Sequence, residues 1–190
     1  MPITQIDEQT ALIVVDLQKG VIAMPTAESA ADVVRQAARL AEAFRRHGLP
    51  VVLVKVEGLA PGRNEAGRRL PDPLPPGWSD LAPELHQQGS DHVVTKRTWG
   101  AFTHTDLEQY LRGKGVTQVV MCGISTSAGV ESTARFAHEL GFNVSFVMDA
   151  MTDTSADAHA NSAIRIFPRI GETGSTAAVL AELDRRQVAK

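Results

Sequence analysis

Hydrophobic positions in this chain fall into short unbroken runs, separated by segments in which apolar residues recur every three or four positions. Thr10-Ala11-Leu12-Ile13-Val14-Val15 is one such run. Its β-branched, uninterrupted character predicts a strand covered on both faces, as in a parallel sheet. Pro50-Val51-Val52-Leu53-Val54-Lys55-Val56 is a second. Between them Val33, Ala37, Leu40, Ala41 and Phe44 share one face of a helix predicted from Ser29 to His47 and stopped by Gly48. A short strand over His92-Val93-Val94 runs out at Thr95-Lys96-Arg97, and Thr105 is placed to cap a helix through Leu107, Tyr110 and Leu111.

Val119-Val120-Met121-Cys122 reads as a buried strand that breaks at Gly123 into a tight turn. A helix starts near Gly129, with Val130, Thr133, Ala134, Ala137 and Leu140 at helical spacing. Phe142 to Met148 predicts a further strand ending at Asp149. Helices follow near Ser155 to Ile166 and Ser175 to Arg186, the latter with Val179, Leu180 and Leu183 inward, and Pro168 to Gly171 is expected to form a short edge strand between them. This alternation predicts an α/β fold: one three-layer α/β/α domain over residues 1–190, with a mainly parallel sheet of five or six strands. Glu57 to His92 breaks the pattern, carrying six prolines and no sustained period. Such an excursion is a lid, a binding loop, an oligomer contact or a solvated insertion.

Composition narrows the function classes. A net charge of −3 supplies no basic field for nucleic acid, and no window reaches the apolar length of a membrane span. Cys122 is the single cysteine, which leaves no disulfide framework and no thiolate zinc site and fits a reducing cytosol. The start Met1-Pro2-Ile3-Thr4-Gln5-Ile6-Asp7 has neither the basic nor the apolar segment of a secretory signal. A cytoplasmic protein acting on a small molecule is expected.

Three features converge at the carboxyl edge of the predicted sheet, where open α/β folds bind ligands. Asp16 follows the first strand, Lys96 ends another, and the turn from Gly123 to Gly129 follows a third. A lysine beside an aspartate favours the ionised carboxylate, whereas burial favours the neutral acid, and the sequence leaves that contest open. A structural ion pair beside an ordinary turn is the competing reading. Amides at the start of the helix could hold an oxyanion or a carboxylate. Cys122 lies inside an apolar strand, the setting of a small buried hydrophobe. His47, His86, His92, His104, His138 and His159 show no ligand spacing, so no metal and no cofactor are expected.

Leu12 to Gln18, then Lys96-Arg97 with Phe102, then Gly123-Ile124-Ser125-Thr126 leading to Thr133-Ala134, Gly141-Phe142 and Asp149-Ala150, in this order and at these separations, resemble the isochorismatase-like hydrolase superfamily. Most members carry an Asp-Lys-Cys triad, and the position of the cysteine, sixth after the turn glycine, is Gly129 here. The resemblance implies Asp16 and Lys96 as catalytic residues and a glycine at the nucleophile position. True isochorismatases, which cleave a vinyl ether without a covalent intermediate, share that glycine; there the aspartate acts as an acid. Nicotinamidases of the family bind metal through an Asp-x-His and a further histidine, whereas Lys55-Val56-Glu57-Gly58 offers no imidazole. Gln18, Arg97, Trp99, Phe102, Ser125, Thr126 and Ala128 are the residues implied to line the substrate pocket. The resemblance further implies a non-proline cis peptide at Ile124-Ser125 and a homo-oligomer, dimer or tetramer. The run Gly129 to Arg135, with Glu139 to Phe142, His159-Ala160-Asn161-Ser162 and Phe167 to Ile170, is most similar to a bacterial subgroup lacking the cysteine. A hydrolase using no thioester is the leading expectation. An inactive binding or regulatory homologue and an amidase with another nucleophile are the alternatives.

Overall fold

A computed structural model describes residues 3–65, 67 and 70–188. The chain runs β1 (Thr10–Val15), a single turn α1 (Lys19–Ile22), α2 (Ala30–Arg46), β2 (Val51–Val56), β3 (His92–Lys96), α3 (Leu107–Gly113), β4 (Gln118–Ile124), α4 (Glu131–Glu139), β5 (Asn143–Thr152), α5 (Ala156–Asn161), α6 (Phe167–Ile170), β6 (Glu172–Gly174) and α7 (Thr176–Val188). The six strands form one all-parallel sheet in the order β3-β2-β1-β4-β5-β6.

Successive strand residues point to opposite faces, so each buried run feeds two cores. Leu12 and Val14 of β1, with Val120 and Cys122 of β4, meet α2 and α7. Ala11, Ile13 and Val15, with Val119 and Met121, meet Leu107 and Leu111 of α3 and Ala134 and Ala137 of α4. Both faces are covered, which explains why these strands carry no polar alternate and establishes the three-layer arrangement. The chain leaves β1 toward β2 and β3, then returns to the other side of β1 with β4. In open α/β sheets such a reversal marks the ligand-binding edge, here at the carboxyl ends of β1 and β4.

Four boundaries differ from the sequence reading. Pro168 to Gly171 is not a strand: Phe167–Ile170 is helical, with Pro168 in the first turn, where its missing N–H forfeits no bond, and the edge strand begins after Gly171. A β-carbon at Gly171 would lie 2.3 Å from the Val144 carbonyl, so this glycine lets the chain close onto β5. β5 continues past Asp149 to Thr152, because its pairing with β4 shifts register between Met121 and Gly123. Asp149 therefore sits mid-strand, and its Oδ1 accepts from the Thr176 N–H at 2.7 Å and hydroxyl at 3.0 Å, at the start of α7. The helix read to begin near Gly129 opens instead as a π-helical turn over Thr126–Val130, and the one read from Ser155 to Ile166 ends in a second such turn over Ser162–Ile166.

Most of the proline-rich excursion falls within the described residues, Ala66, Arg68 and Arg69 lying outside them. Its latter part straps the segment after β1: Lys19 and Gly20 donate main-chain bonds to Asp80 and Trp78, and Ala82 donates to Leu17. A β-carbon on Gly20 would overlap the Trp78 ring at 2.1 Å.

Candidate active site

β1 delivers Asp16 to this edge in a left-handed backbone conformation, φ 52°, rare for a residue with a side chain and costly unless the surroundings impose it. β3 delivers Lys96 from two strands away. The two side chains meet at 2.7 Å between Nζ and Oδ2, with Asp16 5% and Lys96 2% exposed. Lys96 donates a second hydrogen to the Thr98 carbonyl at 3.1 Å. The other Asp16 oxygen, Oδ1, is buried and has no hydrogen-bond partner among the described residues.

The third component arrives on the turn after β4. Gly123 has φ 122°, and a β-carbon there would lie 2.0 Å from the Val15 carbonyl, so β1 and β4 approach this closely only with glycine. The Ile124-Ser125 peptide is cis. The π-helical turn then carries Gly129 against the ion pair: a β-carbon on it would lie 3.0 Å from Asp16 Oδ2, 3.0 Å from Val15 Cγ1 and 3.6 Å from Lys96 Nζ. Asp16, Lys96 and Gly129 are thus brought together at one point.

Burial dominates the electrostatics of this point. Removal from water pushes the Asp16 carboxyl from its ordinary 3.8 up to about 6, against the downward pull of the Lys96 ammonium and its hydrogen bond. A group so placed is a carboxylic acid that can hold and release a proton near neutral pH. Cys122 is of another kind: its thiol is fully buried in the core toward α2, and burial raises its pKa far above neutrality.

The residues expected around the pocket divide. Ser125 and Ala128 are half-buried on the turn itself. Gln18 is fully buried, with its amide engaged by main chain: Oε1 accepts from Val56 N–H at 2.7 Å, and Nε2 donates to Val56 and Trp78 carbonyls at 3.1 and 3.5 Å. It clamps β2 to the strap. Phe102 stacks on Phe142 in the core toward α3 and α4, 6.3 Å between centroids. Arg97 is exposed with its stem beside Gly58, and Trp99 is 59% exposed. The Thr126 hydroxyl is engaged elsewhere, donating to the Thr152 carbonyl at 3.0 Å and meeting His159 Nδ1 at 2.8 Å.

Two residues at this edge carried no sequence signal of their role. Asp153, 3% exposed, accepts at one oxygen both the N–H and the hydroxyl of Ser127, at 2.7 and 2.8 Å. His159 holds Thr126. A cleft of about 440 Å³ lies at the opposite edge, by the amino ends of β4 and β5. Several of its polar groups are engaged with one another, Thr4 with Glu172 and Asn143 with Asp7, and it lies at the end of the sheet opposite Asp16.

The isochorismatase domain model matches residues 10–178. YecD of Escherichia coli O157:H7, an isochorismatase family protein, is 44% identical over 181 residues, covering 92% of this chain and 96% of its own. The structure of an isochorismatase family protein from Burkholderia thailandensis superposes with TM-score 0.91 at 41% identity, covering 95% of this chain and 98% of that one. N-carbamoylsarcosine amidase from Thermoplasma acidophilum superposes with TM-score 0.74 at 26% identity, covering 88% and 96%. The chain belongs to the isochorismatase family and is a hydrolase of that type. No helix among the described residues is long and apolar enough to cross a membrane.

Proposed function

We propose that this hydrolase acts without a covalent enzyme intermediate on a small anionic molecule, by protonating a vinyl ether or related group from Asp16. The observation that carries the reading is the packing of a buried Asp16–Lys96 pair directly against a residue with no side chain, Gly129. In this reading the acid proton resides on Oδ1, because Oδ2 is taken by Lys96. With Asp16 protonated, Lys96 is the uncompensated charge of the buried pair and favours a negatively charged ligand. As the proton leaves Oδ1, the new carboxylate lies 2.7 Å from the ammonium, an interaction that strengthens as the reaction proceeds.

The step balances as a hydration. The Asp16 proton adds to the terminal vinyl carbon, and water adds to the adjacent oxocarbenium carbon and returns a proton to the carboxylate. The hemiketal then collapses to an alcohol and a ketone. Gly129 presents no nucleophile beside Asp16, and a β-carbon there would already lie 3.0 Å from Asp16 Oδ2. The nearby hydroxyl of Ser127 is spent on Asp153, which supports a route with no protein nucleophile. Site residues beyond these three are Ser125 and Ala128 on the turn, and the protein works in the cytoplasm as a homo-oligomer. The test is turnover of a panel of vinyl ethers, amides and ureides by the wild type, Asp16→Asn and Lys96→Met. Activity on an anionic vinyl ether that both variants lose supports the reading. No turnover anywhere in the panel, or activity untouched by Asp16→Asn, overturns it.

A further inference from the structure

The segment after β5 embraces the turn that carries Gly129, and the proposed reaction gives it no role. His159 and Asp153 reach the turn itself, at Thr126 and Ser127, and Ser162 reaches Glu131 where α4 begins. We infer that Asp153 and His159 are positioning residues: together they fix Thr126 and Ser127, the first two residues of the turn, and so set Gly129 against Asp16 and Lys96.

Hydrogen inventory fixes the direction of each contact. The Thr126 hydroxyl has one hydrogen, and the Thr152 carbonyl, 3.0 Å away, can only accept it. His159 Nδ1 at 2.8 Å must therefore donate to the Thr126 oxygen, which places a proton on Nδ1. Asp153 Oδ2 takes both hydrogens that Ser127 offers, and Oδ1 takes the Ser155 N–H at 3.3 Å and the Thr154 hydroxyl at 3.5 Å. The partners of this buried carboxylate are neutral donors, and two of them belong to the turn. A third tie closes the clip: fully buried Ser162 donates to Glu131, the first residue of α4, at 2.6 Å. The same strand end also anchors the approach to α2, through Ala27 N–H to the Asp153 carbonyl at 2.8 Å and Glu28 N–H to the Thr152 hydroxyl at 3.0 Å.

The geometry leaves little slack. A shift of a few tenths of an ångström at Gly129 changes what presses on Asp16 Oδ2, since even a β-carbon there would sit at 3.0 Å. π-helical turns concentrate at functional sites, and this one is held from outside at its first two residues. The inference rests on the reading of Asp16, Lys96 and Gly129 as the reacting edge, but its test needs no substrate.

The experiment compares full-length wild type with Asp153→Asn, His159→Ala, His159→Asn and the milder Ser127→Ala. It reads the Gly129 amide resonance, the Asp16 carboxyl titration by carbon NMR and the thermal midpoint. Asp153→Asn and His159→Ala are expected to displace the Gly129 resonance and move the Asp16 titration midpoint by about half a pH unit or more. His159→Asn, whose amide nitrogen can stand in for Nδ1, is expected to restore both, and Ser127→Ala to shift them in the same sense by less. Variants that lower the thermal midpoint while leaving the Gly129 resonance and Asp16 titration unchanged overturn the inference, as does His159→Asn behaving like His159→Ala. Should Asp153→Asn fail to fold, the His159 pair and Ser127→Ala decide. A positive result here alongside an Asp16→Asn enzyme that keeps its activity would refute the proposed function and leave the positioning role standing.

Discussion

Ionising Asp16 costs the folded protein stability, and the size and sign of that cost follow from its surroundings. The carboxyl is raised from 3.8 to about 6 because burial outweighs Lys96. Between those values the native state binds a proton that the unfolded chain has released, so stability is greatest below about pH 4 for this group and falls as pH rises through about 6. The gap between 3.8 and about 6, at about 1.4 kcal/mol per pH unit, amounts to about 3 kcal/mol. Asp16→Asn keeps the shape and an oxygen for Lys96 while removing the ionisation. Urea unfolding of both proteins across this range isolates the group, because other titrations cancel in the difference. The wild type should lose about 3 kcal/mol relative to the variant between the acid and neutral ends of the window. A difference that is flat, or that grows in the wild type's favour with rising pH, would mean that the ion pair outweighs burial, and Asp16 would then be a standing carboxylate unable to act as an acid.

Lys96→Met should leave the Asp16 carboxyl buried without its cation, lowering stability by about 3–5 kcal/mol at neutral pH and raising the Asp16 titration midpoint above its wild-type value. Gly129→Ala should press on Asp16 Oδ2 and Val15 and cost about 1–3 kcal/mol, with hydrolysis falling more than stability alone explains, as paired assays of unfolding and turnover would show. Gly123→Ala would drive a β-carbon into the Val15 carbonyl at a positive φ; a loss of about 4 kcal/mol or more, seen as failure to recover folded protein, is expected. Cys122 should resist thiol reagents in the native protein and react only on unfolding, and Cys122→Ala should leave turnover intact.

Much of this site could be read from sequence because strand ends are legible. An unbroken β-branched run such as Leu12 to Val15 announces a doubly covered strand, and whatever follows it lies at the sheet edge; strand ends alone therefore place Asp16, Lys96 and the turn to Gly129 at one edge. What could not be read depends on closure between distant segments. Gln18 looks like a free polar group beside Asp16, yet its amide is consumed by Val56 and by the strap that brings Trp78 over it. The resemblance implies Phe102 as pocket wall, but the position of Phe142 puts it in the core instead. Asp153 is not legible because the register shift in β5 carries the strand three residues past Asp149, a displacement that alternation of side chains does not record. The helical Phe167–Ile170 is not legible either, because a proline near an edge suggests a strand end as readily as a first helical turn.

The most direct measurement of the proposed chemistry is hydrolysis of an anionic vinyl ether in heavy water, with the product and the intact protein both weighed by mass spectrometry. Proton delivery from Asp16 with no protein nucleophile predicts one carbon-bound deuterium in the methyl group of the ketone, no mass added to the quenched enzyme, and loss of turnover in Asp16→Asn. A trapped acyl adduct on the protein, or undiminished deuterium transfer by Asp16→Asn, would contradict it.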